Sequence, residues 1–510
     1  MIAKLAILLL YVLLVVGLGL YTSKRTNTVD DFVLGNRSVG PWMSAFSFGT
    51  TYFSAVLIIG FAGKVGWGFG LSALWIAVGN TLIGTYLAWK VLAPKTREMT
   101  GRLNVLTMPS FLEARYDSRN MKIVASLIIF IFFIPYTASV FMGLSYLFEQ
   151  VFQIPYVVAL LLMTCLTAVY LVLGGYLAVA LIDFVQGLFM IAGIALMIYF
   201  VVGSDAVGGV IQGYHSLKAI DPGLISPNSG IKWVSLVSLI ILTSLGTWGL
   251  PQMVQKFYGI KSQDVIPRAT IVSTVFALII TGGAYYVGSM GHLFFEQLPL
   301  LAGKATPDLI MPMIFVKTLP AIIAVLILIL VLSASMSTLS SLVLVASSSI
   351  TIDLVRGTLF PEMDEKTTMR LMRILCVVFI VFSLYIAIKP PAIILTLMAL
   401  SWGTVAGAFL APYLCGLFME KTTKSGAWAG LITGLAISLG GYFLLTFQPS
   451  FIRPAVLELL SGWGMPFFSS LAMLVPLVVI PLVSSLTKEY SVEHINRIFC
   501  RNEELAIEQQ

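Results

Sequence analysis

The sequence predicts an all-α polytopic membrane protein of about 13 transmembrane helices, on three observations. Of 510 residues, 58% are hydrophobic and only 10% charged, where a soluble domain carries about 25% charged. Mean hydropathy is +0.98, and no polar stretch is long enough to make a soluble domain, so the bilayer is the scaffold. Charge-free runs of about 20 residues, enough to cross about 30 Å of hydrocarbon at about 1.5 Å per residue, recur along the whole chain.

Taken in order, the clear runs are Leu5 to Tyr21, Pro41 to Gly63, Val65 to Trp89, Ile123 to Phe148, Phe184 to Gly203, Trp233 to Met253, Ala269 to Met290, Ser425 to Ile452 and Leu460 to Thr487. Val151 to Ile182 is too long for one span, and Gly174-Gly175 is a natural break, so the next helix starts near Tyr176. Thr318 to Ile352 and Pro390 to Met419 read as single long or tilted spans, and Ile374 to Ile388 as a short one.

Lys and Arg fall unevenly between the two sides. One side receives Lys24, Arg25, Arg37, the cluster from Lys90 to Lys122, Lys256, Lys261, Arg268, Arg356, Lys366, Arg370, Arg373, Lys421, Lys424, Lys488, Arg497 and Arg501; the other has Lys4, Lys64, Lys218, Lys232, Lys304, Lys317, Lys389 and Arg453. Positive charge marks the cytoplasmic side, so the expected orientation in a plasma membrane of the bacterial inner type is N-terminus outside and C-terminus inside. The net charge of +7 is explained by topology and gives no support for nucleic-acid binding, since no basic run carries aromatic interleaving. The first apolar run has no small-residue cleavage site after it and is expected to be retained. Cys165, Cys376, Cys415 and Cys500 have no metal-ligand spacing, and His215, His292 and His494 lie in expected loops or the tail. Neither a disulfide framework nor a zinc, haem or organic cofactor is expected, and an intramembrane enzyme would lack its ligands and bases.

Polar residues at membrane depth are expensive, about 3 kcal/mol for a central Asp on insertion scales, and usually face a cavity or ion path. Asp183 is the only acidic residue with long apolar stretches on both sides, with Gln186 three positions on; the plainer reading is a carboxylate capping a helix start. Hydroxyls concentrate at Ser333, Ser335, Ser337, Thr338, Ser340, Ser341, Ser347, Ser348 and Ser349. Ser337, Thr338, Ser340 and Ser341 share one helix face of about 160°, and a hard monovalent cation takes oxygen ligands of this kind. A Ser/Thr face alone is more often a helix-packing device. Phe48-Gly49-Thr50-Thr51-Tyr52-Phe53-Ser54 puts Gly and hydroxyls in mid-span, where a helix that unwinds presents carbonyls to a cavity.

From about Thr28 to Lys424 the chain resembles the sodium:solute symporter family, which includes bacterial proline, pantothenate and sialic acid symporters. The likeness rests on four short pieces in order: Asp31-Phe32-Val33-Leu34-Gly35-Asn36-Arg37-Ser38-Val39-Gly40; Gly174-Gly175-Tyr176-Leu177-Ala178-Val179 with Asp183 and Gln186; Gly249-Leu250-Pro251-Gln252; and Met336-Ser337-Thr338-Leu339-Ser340-Ser341. The resemblance implies a LeuT-type core of two inverted five-helix repeats, residues 40–203 (spans two to six) and 204–419 (spans seven to eleven). Residues 1–39 would carry the first span and a cytoplasmic loop, and 420–510 two peripheral spans and a cytoplasmic tail. Alternating access would rock one repeat against the other about a midplane site. The shared sodium site carries over onto the carbonyls of Thr50, Phe53 and Ala334 and the hydroxyls of Ser337 and Thr338. In some relatives residues matching Asp183, Ser340 and Ser341 build a second sodium site.

By the same analogy the solute lies against Thr51, Tyr52, Ser54, Trp75, Tyr136, Thr137, Thr243, Thr247 and Trp248. Proline symporters have an Asp where this chain has Tyr52 and a Tyr near Thr247, a departure that argues against proline. Lys389-Pro390-Pro391, Ile220-Asp221-Pro222 and Thr51-Tyr52-Phe53-Ser54-Ala55 look closer to pantothenate-type carriers. The expected function is import of a small carboxylate, vitamin or amino acid with sodium as coupling ion, the protein working as a monomer with the solute and the lipid bilayer as partners. A proton-coupled carrier of the same fold and a solute-sensing carrier-like protein are the alternatives.

Overall fold

Helix ends fall where capping side chains stand. Thr107, Ser118, Asp364 and Thr423 each turn an oxygen back onto a backbone N–H two or three residues ahead, starting the helices at Met108, Arg119, Glu365 and Lys424. The computed structural model describes residues 2–23, 28–174, 176–226, 230–301, 303–450 and 453–499. Lys24, Arg25, Gly175, Cys500 and Arg501 lie outside them.

The main helices are α1 (Ile2–Ser23), α2 (Pro41–Tyr52), α3 (Ala62–Phe69), α4 (Leu74–Thr81), α5 (Arg119–Phe152), α6 (Tyr156–Gly174), α7 (Tyr176–Val202), α8 (Gly230–Gly249), α9 (Pro251–Tyr258), α10 (Ile266–Ser289), α11 (Ala321–Ser348), α12 (Glu365–Ile388), α13 (Ile394–Phe418), α14 (Lys424–Phe447) and α15 (Pro454–Ser485). A two-residue hairpin, Leu300–Leu301 with Lys304–Ala305, is the only sheet among the described residues. Ten helical segments there are long and apolar enough to cross a membrane, with two shorter apolar helices, Ala6–Leu18 and Tyr156–Cys165. Ten differs from the expected 13 or so partly because Val56–Arg102, 47 residues long, runs through two helices that meet at a corner. Gly70 makes that corner with φ +54, and a Cβ there would stand 2.0 Å from the Leu224 carbonyl oxygen. The second span therefore continues past Lys64 to Phe69, beyond the expected end at Gly63. The short span expected from Ile374 starts instead at Glu365, because Lys366, Arg370 and Arg373 occupy its opening turns.

α11 is buried on every side from Ile327 to Ser348, as a central helix must be, and packs on α1, α2, α5, α7 and α12. α3 and α10 touch backbone to backbone: a Cβ on Gly66 would meet the Gly288 carbonyl carbon at 2.2 Å. Most of the basic residues expected on one side do gather at one end of the bundle. There Arg97 donates to the Ile260 carbonyl, Arg102 to Ile498, Arg119 to Thr358 and Lys424 to Asp117. Lys256 is the exception. It belongs to α9, all eight of whose residues are buried, and its charge is not a loop charge.

Candidate ion and solute site

The second span breaks where Gly and hydroxyls interrupt its apolar run. α2 stops at Tyr52, Phe53 turns extended (φ −110°, ψ 104°), and Ser54 Oγ accepts from the Val56 N–H at 3.1 Å to restart the helix in wide π-type turns over Val56–Phe61. The last carbonyls of α2 are thereby released from helical partners, and they carry the negative end of its dipole. Thr338 of α11 meets them. Its Oγ1 lies 3.0 Å from the Thr51 carbonyl, 3.3 Å from that of Thr50 and 3.1 Å from that of Ala334. One hydroxyl proton faces three acceptors. Ser337 Oγ donates to Thr50 Oγ1 at 2.8 Å, and Thr50 Oγ1 to the Phe46 carbonyl at 2.8 Å. Thr50, Thr51, Ala334, Ser337 and Thr338 thus form one buried oxygen cluster whose own groups carry no formal charge, with the Asp183 carboxylate beside Ser337, and Phe53 lies in the break itself.

Sorting the α11 hydroxyls separates packing from site. Ser335, Ser340, Ser347 and Ser348 donate to carbonyls three or four residues back in their own helix, the bland role such residues usually have. Ser333 pairs with Tyr11 of α1 at 2.7 Å, while Ser337, Thr338 and Ser341 reach across to α2. Of the three residues expected around a second sodium, Ser340 therefore turns away. Ser341 Oγ sits 3.0 Å from Thr51 Oγ1 and accepts from Lys256 Nζ at 2.9 Å. Asp183, fully buried, accepts from Ser47 at 2.5 Å and lies 3.6 Å from Lys256 Nζ through the same oxygen, Oδ2. It does not cap the start of α7, which lies seven residues upstream.

Beside the break is a small cavity of about 20 Å³, room for about one water as it stands, lined mainly by Tyr52, Ser54, Asn80, Tyr136, Thr243, Tyr285 and Trp402 with apolar Phe53, Phe61 and Met398. Tyr52, Tyr136, Tyr285 and Trp402 expose 5% or less around it. The Tyr52 hydroxyl donates to the Thr243 carbonyl at 2.5 Å, room for it being left by Gly84, where a Cβ would stand 2.5 Å away. Two donors are left over. The Tyr285 hydroxyl stands near Asn80 and the Trp402 indole near Tyr136, yet neither makes a hydrogen bond of good geometry among the described residues.

Of the expected solute residues, Tyr52, Ser54, Tyr136 and Thr243 line the cavity. Thr51 belongs to the ion cluster. Thr137 is buried with no partner for its hydroxyl among the described residues, Thr247 donates to the Gly84 and Ser244 carbonyls, and Trp248 to Ile83; none of the three lines it. Trp75 is 57% exposed and points out of the bundle, because α4 turns that face outward. Sequence reading missed Asn80, Tyr285 and Trp402. Asn80, a lone amide in a charge-free run, was the legible signal; the two aromatics look like any others in an apolar helix.

Comparison with known proteins places the chain. The profile of the sodium:solute symporter family matches residues 32–434. The osmoregulated proline transporter OpuE of Bacillus subtilis is 32% identical over 84% of this chain and 87% of its own length. A sodium/proline symporter of Staphylococcus aureus is 32% identical over 84% and 83%. Among solved structures, a Na+-coupled sialic acid symporter superposes with a TM-score of 0.77 at 21% identity, covering 96% of this chain and 99% of its own. MhsT in complex with L-phenylalanine gives 0.51 at 16%, over 88% and 98%. The fold is of the LeuT type, and these relatives lend no support to a leaning toward pantothenate. With the family profile matching residues 32–434 and relatives 32% identical over most of the chain, this chain belongs to the sodium:solute symporter family.

Proposed function

We propose that the protein is a sodium-coupled symporter that imports a small organic solute by alternating access, with proline the first solute to test. The observation that carries this is Thr338 facing the Thr50 and Thr51 carbonyls at the break of α2, beside that of Ala334 in its own helix, just before Tyr52 and Ser54 enter the cavity wall. A sodium ion wants oxygens. Carbonyls of Thr50, Phe53 and Ala334 with the hydroxyls of Ser337 and Thr338 supply five, at the negative end of a helix. An ion held there ties α11 to the end of α2 and so fixes where Tyr52 and Ser54 stand, which makes solute affinity depend on sodium. Residues 40–203 would rock against 204–419 about this point, each unit opening on an interrupted helix: α2 breaks at Phe53 and the α8–α9 helix at Leu250. The basic end of the bundle faces the cytoplasm.

Proline is favoured by the relatives named above. A carboxylate without an amine is the second reading, favoured by two points: no acidic side chain lines the cavity among the described residues, and Tyr52 stands where proline symporters carry an Asp. The unpaired Tyr285 and Trp402 donors suit a carboxylate in either case. The test is thermal stabilisation of the purified protein by proline, by cyclopentanecarboxylate and by pantothenate, each with and without sodium, since a ligand raises stability by mass action. A shift with proline that requires sodium is expected. A shift that ignores sodium and follows pH instead would establish the proton-coupled alternative.

A further inference from the structure

Lys256 exposes 2% of its surface, with the fully buried Asp183 facing it. Its Nζ lies 2.9 Å from Ser341 Oγ, 3.6 Å from Asp183 Oδ2 and 5.3 Å from the centre of the Tyr176 ring. Oxygen from α11, carboxylate and aromatic face from α7: three contacts from two helices surround an ammonium delivered by a third, α9. An ammonium is a compact point charge with three donors. The groups around it are those that would coordinate a free monovalent cation. Asp183 takes both Ser47 and Lys256 on Oδ2, while Oδ1 makes no hydrogen bond of good geometry among the described residues, with the Ser337 hydroxyl beside the carboxylate.

We propose that Lys256 is a resident cation: its Nζ fills the position between Asp183 and Ser341 that would otherwise hold a second sodium, so the protein binds a single sodium, at Thr338. This rests on the reading of the Thr338 cluster as a sodium site. A buried carboxylate attracts a cation strongly only while its charge is uncompensated. Two unit charges about 4 Å apart at an effective dielectric near 20 repel enough to lower the affinity for an incoming sodium on the order of a thousandfold. The tether also changes the cycle. A sodium ion leaves with the solute, whereas a lysine on the buried helix α9 stays and keeps Asp183 compensated when the pathway is empty, so the second site contributes no ion to coupling.

The test is equilibrium binding of radioactive sodium to the purified full-length protein, counted per chain. Wild type is expected to bind one ion with a Hill coefficient of one. Lys256→Gln uncovers Asp183 and Ser341 and is expected to bind two. The double variant Asp183→Asn/Lys256→Gln removes both charges and is expected to return to one. Two ions in wild type, or one ion in a folded Lys256→Gln protein, overturns the assignment. Should Lys256→Gln fail to fold, the count in wild type and in the charge-free double variant decides: one ion in each sustains it, two in wild type ends it. Zero ions in wild type would overturn the sodium reading of Thr338 itself, a result distinguishable from all of these.

Discussion

Thr338 and Ser341 stand three residues apart on α11, both against the end of α2, and the polar clusters around them are built on opposite principles. At Thr338 every contact among the described residues is a hydroxyl or a carbonyl and the oxygens outnumber the protons; the nearest formal charge is Asp183, which reaches the neighbouring Ser337. At Ser341 an ammonium and a carboxylate have been carried to the same depth and face each other. An oxygen cluster without a cation is unfinished and can gain one from solution; a cluster with its own cation is complete. The difference teaches that hydroxyl content alone does not identify an ion site in a buried helix. What matters is whether the charge that balances those oxygens is supplied by the chain or left to be supplied by the medium.

The largest effect should come from breaking the complete cluster. Asp183→Asn strands the ammonium of Lys256 in a buried place, and losing one member of such a pair costs about 3–5 kcal/mol. Melting of the purified variant should be lowered accordingly, and Asp183→Asn/Lys256→Gln should regain most of the loss, because the two sites couple. Single and double variants that melt alike would mean the pair carries no structural weight.

Next in size is the unfinished cluster. Thr338→Ala removes a hydroxyl whose loss a folded protein tolerates, since the carbonyls it faces keep other routes to water or an ion. Its expected mark is on sodium alone, raising the concentration for half-maximal uptake by at least about tenfold, as one lost ligand worth about 1.5 kcal/mol would do. Thr338→Ser keeps the oxygen and should restore most of the affinity. An unchanged sodium dependence in the alanine variant would remove Thr338 from the site.

The cavity offers a third, smaller contrast. Trp402→Phe keeps the ring that packs near Tyr52 and Tyr136 but deletes the unpaired indole donor. A neutral hydrogen bond to solute is worth about 1 kcal/mol, roughly a fivefold weaker half-saturation, and a bond to a carboxylate about twice that in energy. Sodium affinity without solute should not move. A variant that loses sodium affinity and keeps solute affinity would reverse the roles given to the two regions.

Asp308 gives the smallest effect, at the opposite end of the bundle. It is buried, accepts from the Ile394 N–H at 3.2 Å at the start of α13, and burial pushes its carboxyl up to about 6, opposed by that N–H and by Lys64. A carboxyl whose folded value is raised favours the fold when protonated, so its contribution is full below about 4 and lost as pH rises through about 6. Lowering pH from 7 to 5 should stabilise wild type by about 1 kcal/mol more than Asp308→Asn. Equal pH dependence of melting in the two proteins would contradict it.

How much of this was legible in the sequence follows from how far apart the partners lie. The break in the second span could be read because its cause is local: Gly49, Thr50, Thr51 and Ser54 interrupt an apolar run. The face at Ser337 and Thr338 followed from helical periodicity. Asp183 stood out as an acid at depth, but its partner 73 residues later was taken for a cytoplasmic loop charge. Lys256 follows Pro251, where an apolar run ends, and nothing local says that the helix beyond that proline stays buried. Trp75 failed for the complementary reason. Its position in the third span is right by analogy, yet which face of a helix looks inward depends on neighbours that a single apolar segment does not specify.

The central claim, that sodium at the broken helix draws the solute uphill, is tested most directly in proteoliposomes given labelled proline, the first solute, in the external medium and held at zero membrane potential. A tenfold inward sodium gradient at constant pH should accumulate solute about tenfold for one ion per cycle, and Thr338→Ala should need about tenfold more sodium to accumulate it at the same rate. Accumulation driven by an inward proton gradient in the absence of sodium, and unaltered in Thr338→Ala, would contradict it.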